Sequence, residues 1–215
     1  MFRENTRVNG PYNIIYADPP WRFKTYSAKG RDRCPDGIPK TRAEQRTNNP
    51  ERHYRVMDLA DIMALPVKEW VAKDAILFLW AVDPMIPQAL QVGEAWGFTF
   101  KTVAFYWAKL RRETSKRGGQ YTDPACANFP MGTGYWTRPN PEQCLLFTRG
   151  KPKRVSAAVR KLVISPRREH SRKPDEVAQR IVELCGDLPR LEMFARTERL
   201  GWDVFGNQTD LFEAA

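Results

Sequence analysis

The chain has 215 residues, of which 42% are hydrophobic, and 35 Lys/Arg against 25 Asp/Glu give it a net charge of +10. That length suits one α/β domain with a substantial core, and the hydrophobic share excludes wholesale disorder. No stretch approaches the ~18 apolar residues of a membrane span, and the opening Met1-Phe2-Arg3-Glu4-Asn5 has no secretory apolar region.

Cys34, Cys126, Cys144 and Cys185 form no Cys-x-x-Cys pair and have only His53 and His170 to join them. No metal site is expected, and free thiols in a reducing cytoplasm are the plain reading. With no internal repeat and no low-complexity linker, residues 1–215 read as a single domain.

Tyr12-Asn13-Ile14-Ile15-Tyr16-Ala17 is a β-rich apolar run that must stop at Asp18-Pro19-Pro20, because proline cannot donate to a strand ladder. Residues 22–55 carry ten Lys/Arg against four Asp/Glu and no hydrophobic period. A structureless stretch of that length is usually functional or disordered. Asp58 is the expected N-cap of a helix whose apolar face is Leu59, Ile62, Met63 and Leu65. Ala75–Trp80 is continuously apolar, as a strand buried on both faces should be. A helix over Ile86–Trp96 closed by Gly97 comes next, then a strand over Thr99–Lys109 and a second basic loop over about 110–135. Glu142–Thr148 and Leu162–Ser165 read as strands. Pro174, first-turn Asp175 and Glu176, and Gly186 mark a helix over 174–185. Strands over Arg190–Ala195 and Trp202–Phe205 close the chain. Strands alternating with helices predict a mainly parallel, doubly wound sheet.

The charge is clustered. Besides residues 22–55, residues 151–173 hold nine Lys/Arg against one acid, and Lys109, Arg111, Arg112, Lys116 and Arg117 form a third group. Three such clusters point to a polyanionic partner or, more plainly, to solvated basic loops.

Asp18-Pro19-Pro20-Trp21 carries the most chemistry. A carboxylate at the end of a buried strand lies where open α/β sheets place their ligand crevices. The prolines stiffen the chain after Asp18 and leave carbonyls for acceptance, and Trp21 offers a flat face. Methylating an adenine amine calls for such a set, because its lone pair is delocalised into the ring. A carboxylate and a carbonyl accepting both amine N–H groups would make the nitrogen more nucleophilic, with an aromatic plane to hold the base.

Several further blocks occur in order: Leu77-Phe78-Leu79-Trp80, Trp107-Ala108-Lys109, Gly134-Tyr135-Trp136 with Glu142-Gln143-Cys144-Leu145, His170-Ser171-Arg172-Lys173-Pro174-Asp175-Glu176, Leu191-Glu192-Met193-Phe194-Ala195-Arg196, and Gly206-Asn207-Gln208. Together with Ala17-Asp18-Pro19-Pro20-Trp21 they make the chain, from Tyr12 to Gln208, resemble the MT-A70-like family of S-adenosylmethionine-dependent adenine-N6 methyltransferases, in its short prokaryotic or phage form.

The resemblance implies a Rossmann-like class I methyltransferase fold, circularly permuted so that the catalytic motif precedes the cofactor motifs. It implies that Asp18 and Pro19 hold the target amine, with Pro20 shaping the turn and Trp21 beside the base. Tyr54, Trp107, Lys109 and Glu142 would line the acceptor side. Lys173, Glu192, Phe194, Arg196, Asn207 and Gln208 would face S-adenosylmethionine, while Arg111, Arg112, Lys116 and Arg117 would meet phosphates. The basic loops 22–56 and 110–135 are expected to be mobile lids. A cofactor-type Gly-x-Gly-x-x-Gly after the first strand is missing, which the permuted order explains. The zinc-finger regions and long N-terminal extension of eukaryotic members are also missing, so their RNA sequence preference and obligate partner are not carried over.

Plainer alternatives stay open at this point. Trp80 and Trp107 also suit a core role, and Lys173 a surface lysine before a helix. The implied activity is adenine-N6 methylation of DNA with relaxed sequence preference. The alternatives are RNA adenosine methylation, or a silent nucleic-acid-binding partner of an active enzyme.

Overall fold

The computed structural model describes residues 8–22, 56–111, 129–130, 136–168 and 172–206. The sheet has seven strands: β1 (Tyr12–Ala17), β2 (Val71–Ala81), β3 (Thr99–Leu110), β4 (Glu142–Arg149), β5 (Leu162–Pro166), β6 (Arg190–Met193) and β7 (Asp203–Phe205), in the order β5-β3-β4-β2-β1-β6-β7. The helices are α1 (Leu59–Met63), α2 (Val67–Trp70), α3 (Ile86–Ala95) and α4 (Asp175–Cys185), with a 3-10 turn at Asp83–Met85. Strand β1 pairs in parallel with both β2 and β6, β6 with β7 and β3 with β5; only β4 runs antiparallel to its neighbours β2 and β3. The sheet is therefore mostly parallel and the fold Rossmann-like, as expected. Among the described residues, no helix is long and apolar enough to cross a membrane.

Both central strands are buried on two faces, which explains their unbroken apolar sequence. Ile15, Ala17, Leu77 and Leu79 point to the layer closed by α3 through Ala89, Val92 and Trp96. Ile14, Tyr16, Ile76, Phe78 and Trp80 point to the layer closed by α4 through Val177, Ala178, Ile181 and Cys185. Alternate residues of one strand thus serve opposite layers, as the period of two requires.

Several local expectations need adjustment. Asp58 stands at the N-cap of α1, but its carboxylate takes Arg22 Nη1 at 2.6 Å and makes no cap hydrogen bond. Strand β2 starts four residues before the predicted run, directly after the short unpredicted helix α2. Strand β6 ends at Met193, two residues short of the predicted end, because Phe194 turns the backbone with φ 61°. Helix α4 has Pro174 at its N-cap and Gly186 with φ 87° past its end, the left-handed position that favours glycine.

Gly93 sets how closely α3 lies on the sheet. A Cβ at this position would fall 2.3 Å from Phe147 Cε1, within a fully buried ring of β4. Gly93→Ala should gain about 1 kcal/mol of helix propensity and lose roughly 1–3 kcal/mol or more to overpacking. A net fall of the melting temperature by several degrees is expected in thermal unfolding; an unchanged or raised temperature would mean that the ring moves aside freely.

Candidate active site

Strand β1 lies inside the sheet, between β2 and β6. The chain leaves it for β2 on one side and later returns as β6 on the other, so its carboxyl end opens at a topological switch point. Asp18 lies at that end. Trp21 N–H folds back to the Pro19 carbonyl at 2.8 Å, and the Pro20 carbonyl accepts Met57 N–H at 3.0 Å. Each carbonyl has two lone pairs, so Pro19 retains one for a further donor. Trp21 differs from the expectation. It is only 3% exposed, packed in the α3-side core, with its indole N–H on the Trp80 carbonyl at 3.0 Å. In this structure it anchors the Pro-Pro turn and does not present an open stacking face.

Because β4 is antiparallel, its first residue, Glu142, arrives at the same sheet edge as the last residues of β1, β2 and β3. Four charges alternate there. Lys109 Nζ meets Glu142 Oε1 at 2.5 Å; Lys173 Nζ lies 3.4 Å from Glu142 Oε2 and 2.7 Å from Asp18 Oδ2. Lys173 keeps 11% of its side-chain surface and Glu142 20%. Burial would raise the Glu142 carboxyl, but Lys173 and Lys109 outweigh it and push the pKa down to about 2.

Two buried tryptophans form the floor. The Lys173 ammonium stands 5.4 Å from the Trp80 ring centroid, and that of Lys109 stands 5.3 Å from Trp107. Trp80 Nε1 donates to the Tyr16 hydroxyl at 2.8 Å and Trp107 Nε1 to the Ser165 carbonyl at 3.1 Å. Both are therefore core aromatics that position the lysines, and Trp107 does not line an open acceptor wall here. Asn140 holds the end of β3: Lys109 N–H donates to its Oδ1, and its Nδ2 donates to the carbonyls of Lys109 and Pro130.

Beside Asp18 opens a cleft lined by Tyr16, Lys173, Glu192, Phe194, Arg196 and Arg199 among others. A second ion chain braces it. Arg199 Nε lies 3.2 Å from Glu192 Oε2 and its Nη2 lies 3.2 Å from Asp175 Oδ1, while Asp175 also pairs with Arg168. Burial raises the Glu192 carboxyl and Arg199 opposes that rise. Phe194 holds its left-handed backbone at the lip of this cleft, an uncommon conformation for a bulky residue and one that concentrates at functional sites.

The structure thus brings together Asp18, Pro19, Pro20, Lys109, Glu142, Lys173, Glu192, Phe194 and Arg196 at one sheet edge, with Arg111 just beyond the end of β3. Tyr54, Arg112, Lys116, Arg117, Asn207 and Gln208 lie outside the described residues, as do nearly all of the two loops expected to be lids. Arg199, Asp175 and Asn140 are site residues that the sequence did not single out. Arg199 could have been suspected, since a buried strand carboxylate such as Glu192 calls for a cation. Asn140, in an irregular segment, carried no signal.

The fold and this edge define a class: a mostly parallel α/β protein with paired carboxylates and lysines beside an open cleft at the switch point. Residues 12–208 match the MT-A70 family model, so the chain belongs to the MT-A70 family, and it is a methyltransferase. It is 29% identical to the Type II methyltransferase M.MunI of Mycoplasma sp over 95% of this chain and 85% of that protein. It is 24% identical to the N(6)-adenosine-methyltransferase MT-A70-like of Arabidopsis thaliana and 22% to the human N(6)-adenosine-methyltransferase catalytic subunit METTL3. Each of these two alignments covers 94% of the chain, but only 24% of the plant protein and 29% of the human one.

Proposed function

We propose that the protein transfers a methyl group from S-adenosylmethionine to the exocyclic amine of adenine in DNA. The observation that carries this is Asp18, held at the end of β1 by Lys173 at 2.7 Å, with the Pro19 carbonyl next to it and the cleft alongside. Lys173 occupies Asp18 Oδ2, which leaves the other carboxylate oxygen and the Pro19 carbonyl to accept the two N–H bonds of the amine. That pair of acceptors localises the nitrogen lone pair and aims it. Lys109 and Glu142 keep Lys173 in place from the other side.

The cleft suits the cofactor by its donor set. S-adenosylmethionine presents an ammonium, a carboxylate and ribose hydroxyls, and the cleft offers the carboxylates of Asp175 and Glu192 with the cations of Lys173, Arg196 and Arg199. Glu192, buried with one oxygen on Arg199, needs further donors, and ribose hydroxyls would supply them. Asn207 and Gln208, just beyond β7, would complete the grip. When bound, the cofactor supplies a methyl group already activated on a sulfonium. The catalytic tetrapeptide precedes the cofactor residues in the chain, which is the circularly permuted order.

DNA is favoured over RNA because the relative matched over most of its own length is a Type II methyltransferase, whereas the adenosine methyltransferases are matched over less than a third of theirs. The base must be single-stranded or flipped to reach Asp18, since an amine inside a paired duplex is inaccessible. The loops 22–56 and 110–135 would meet the flanking bases, and a relaxed sequence preference is part of the proposal. Transfer of labelled methyl groups to single- and double-stranded DNA and RNA of mixed sequence tests this reading. N6-methyladenine in DNA at several sequence contexts is the expected product. Product in RNA alone would overturn the DNA assignment, and methylation confined to one long site would overturn the relaxed preference.

A further inference from the structure

Residues 150–161, between β4 and β5, contain Lys151, Lys153, Arg154, Arg160 and Lys161 and no acid, and all five side chains are exposed. The segment has neither helix nor strand, yet it is held along its length. Lys151 N–H donates to Asp74 Oδ1 at 2.7 Å and Val155 N–H to the Leu184 carbonyl at 2.8 Å. Arg180 Nη1 donates to the carbonyls of Arg160 at 2.6 Å and Leu162 at 2.8 Å, and Val159 packs on the α4-side core.

Among the described residues none of the five cations is in an ion pair. Glu176 is already taken by Arg180 and Asp187 by Arg190. Five unneutralised charges fixed on one rigid strip repel one another, an arrangement that an anionic partner relieves. The strip also leads to the active site. At its end β5 runs alongside β3 to the sheet edge, where Arg167 N–H reaches the Leu110 carbonyl and Arg168 pairs with Asp175 beside the cleft.

We propose that residues 150–161 form a fixed basic strap that binds the phosphate backbone of the DNA flanking the target base, an inference that rests on the proposed nucleic-acid methyltransferase activity. The strap crosses the sheet from Lys151 at Asp74 to Lys161 at Tyr106, alongside the six strand steps of β4 from Arg149 back to Gln143, a run of about 20 Å. Over that length a duplex carries roughly twelve phosphate charges, enough for all five cations to be met at once. The strap adds affinity without sequence information and orients the duplex so that one of its bases faces Asp18.

The test is a variant with Lys151, Lys153, Arg154, Arg160 and Lys161 all changed to Gln, compared with wild type for binding to duplexes of about 10 and about 40 base pairs across a salt series. A second variant, Arg154→Lys with Arg160→Lys, keeps the charge. The affinity of the Gln variant for the long duplex should fall at least tenfold at about 100 mM salt, and its log–log salt slope should flatten by about two or more. Its affinity for the short duplex should fall as well, since about 34 Å of helix covers the strap, while its affinity for S-adenosylhomocysteine should stay within about twofold and the charge-keeping variant should behave as wild type. Equal salt slopes on the long duplex, or an equal loss of affinity in the charge-keeping variant, would overturn the strap. Binding is read independently of methyl transfer, so a wild type that binds DNA but methylates none would sink the proposed reaction and still decide the strap. A wild type that binds neither duplex would sink the strap outright.

Discussion

Asp18→Ala should lower kcat/KM for methyl transfer by at least about 10³-fold, roughly 4 kcal/mol of lost transition-state stabilisation. Asp18→Asn should fail nearly as badly. The amide keeps the shape but turns one acceptor into a donor aimed at an amine that must itself donate. Lys173 would lose its 2.7 Å partner in the Ala variant and keep only a neutral amide oxygen there in the Asn variant, with Glu142 at 3.4 Å remaining in both, so the fold should survive with a stability loss of about 1–2 kcal/mol. The decisive comparison is between kcat and the affinity for S-adenosylhomocysteine. A kcat that collapses while that affinity moves less than tenfold places Asp18 at the amine. A parallel collapse of both would make it a cofactor ligand and leave the acceptor pair without its carboxylate.

Glu142→Gln should be the most costly substitution for stability at neutral pH, because one carboxylate compensates two partly buried lysines. The folded-state carboxyl titrates at about 2, against an ordinary value of 4.5. A depressed pKa means that the unfolded chain takes the proton first. The stabilisation is therefore fully present above about pH 4.5 and is lost as pH falls towards 2. Linkage puts it at up to about 3 kcal/mol. Denaturant unfolding at pH 7 and pH 3 should show the wild-type advantage over Glu142→Gln shrinking clearly at the lower pH. An equal difference at both values would mean that packing, and not the charge chain, is what the glutamate contributes.

Much of this site was legible in the amino-acid order. Asp18 could be placed because two prolines must end a strand and the run before them is apolar. The caps of α4 were visible in Pro174, Asp175, Glu176 and Gly186, and the burial of β2 in its unbroken hydrophobic run. These are local properties, set by which backbone conformations and donors a residue permits. The burial of Trp21 was not legible, for the complementary reason. Its type says that it is flat and large, but whether its face is open depends on the Trp80 carbonyl, 59 residues away, and on the core around it. Arg199 escaped notice because its partners, Glu192 and Asp175, belong to two different elements.

The direction of β4 shows the division most clearly. The sequence by itself determined that Glu142 starts a strand, that Asp18 ends one, and that lysines stand at 109 and 173. A strand pattern with a period of two reads the same in either direction, so it could not say that β4 runs opposite to its neighbours. Only the tertiary structure decided that, through the pairing of β4 between β2 and β3. Had β4 been parallel, Glu142 would have lain at the far edge of the sheet, some seven residues of strand away. Lys173 would then have had one carboxylate and Lys109 none. Hydrogen-bonded ion pairs form only at contact distance, so the site exists only because the long-range pairing brings four side chains to one edge.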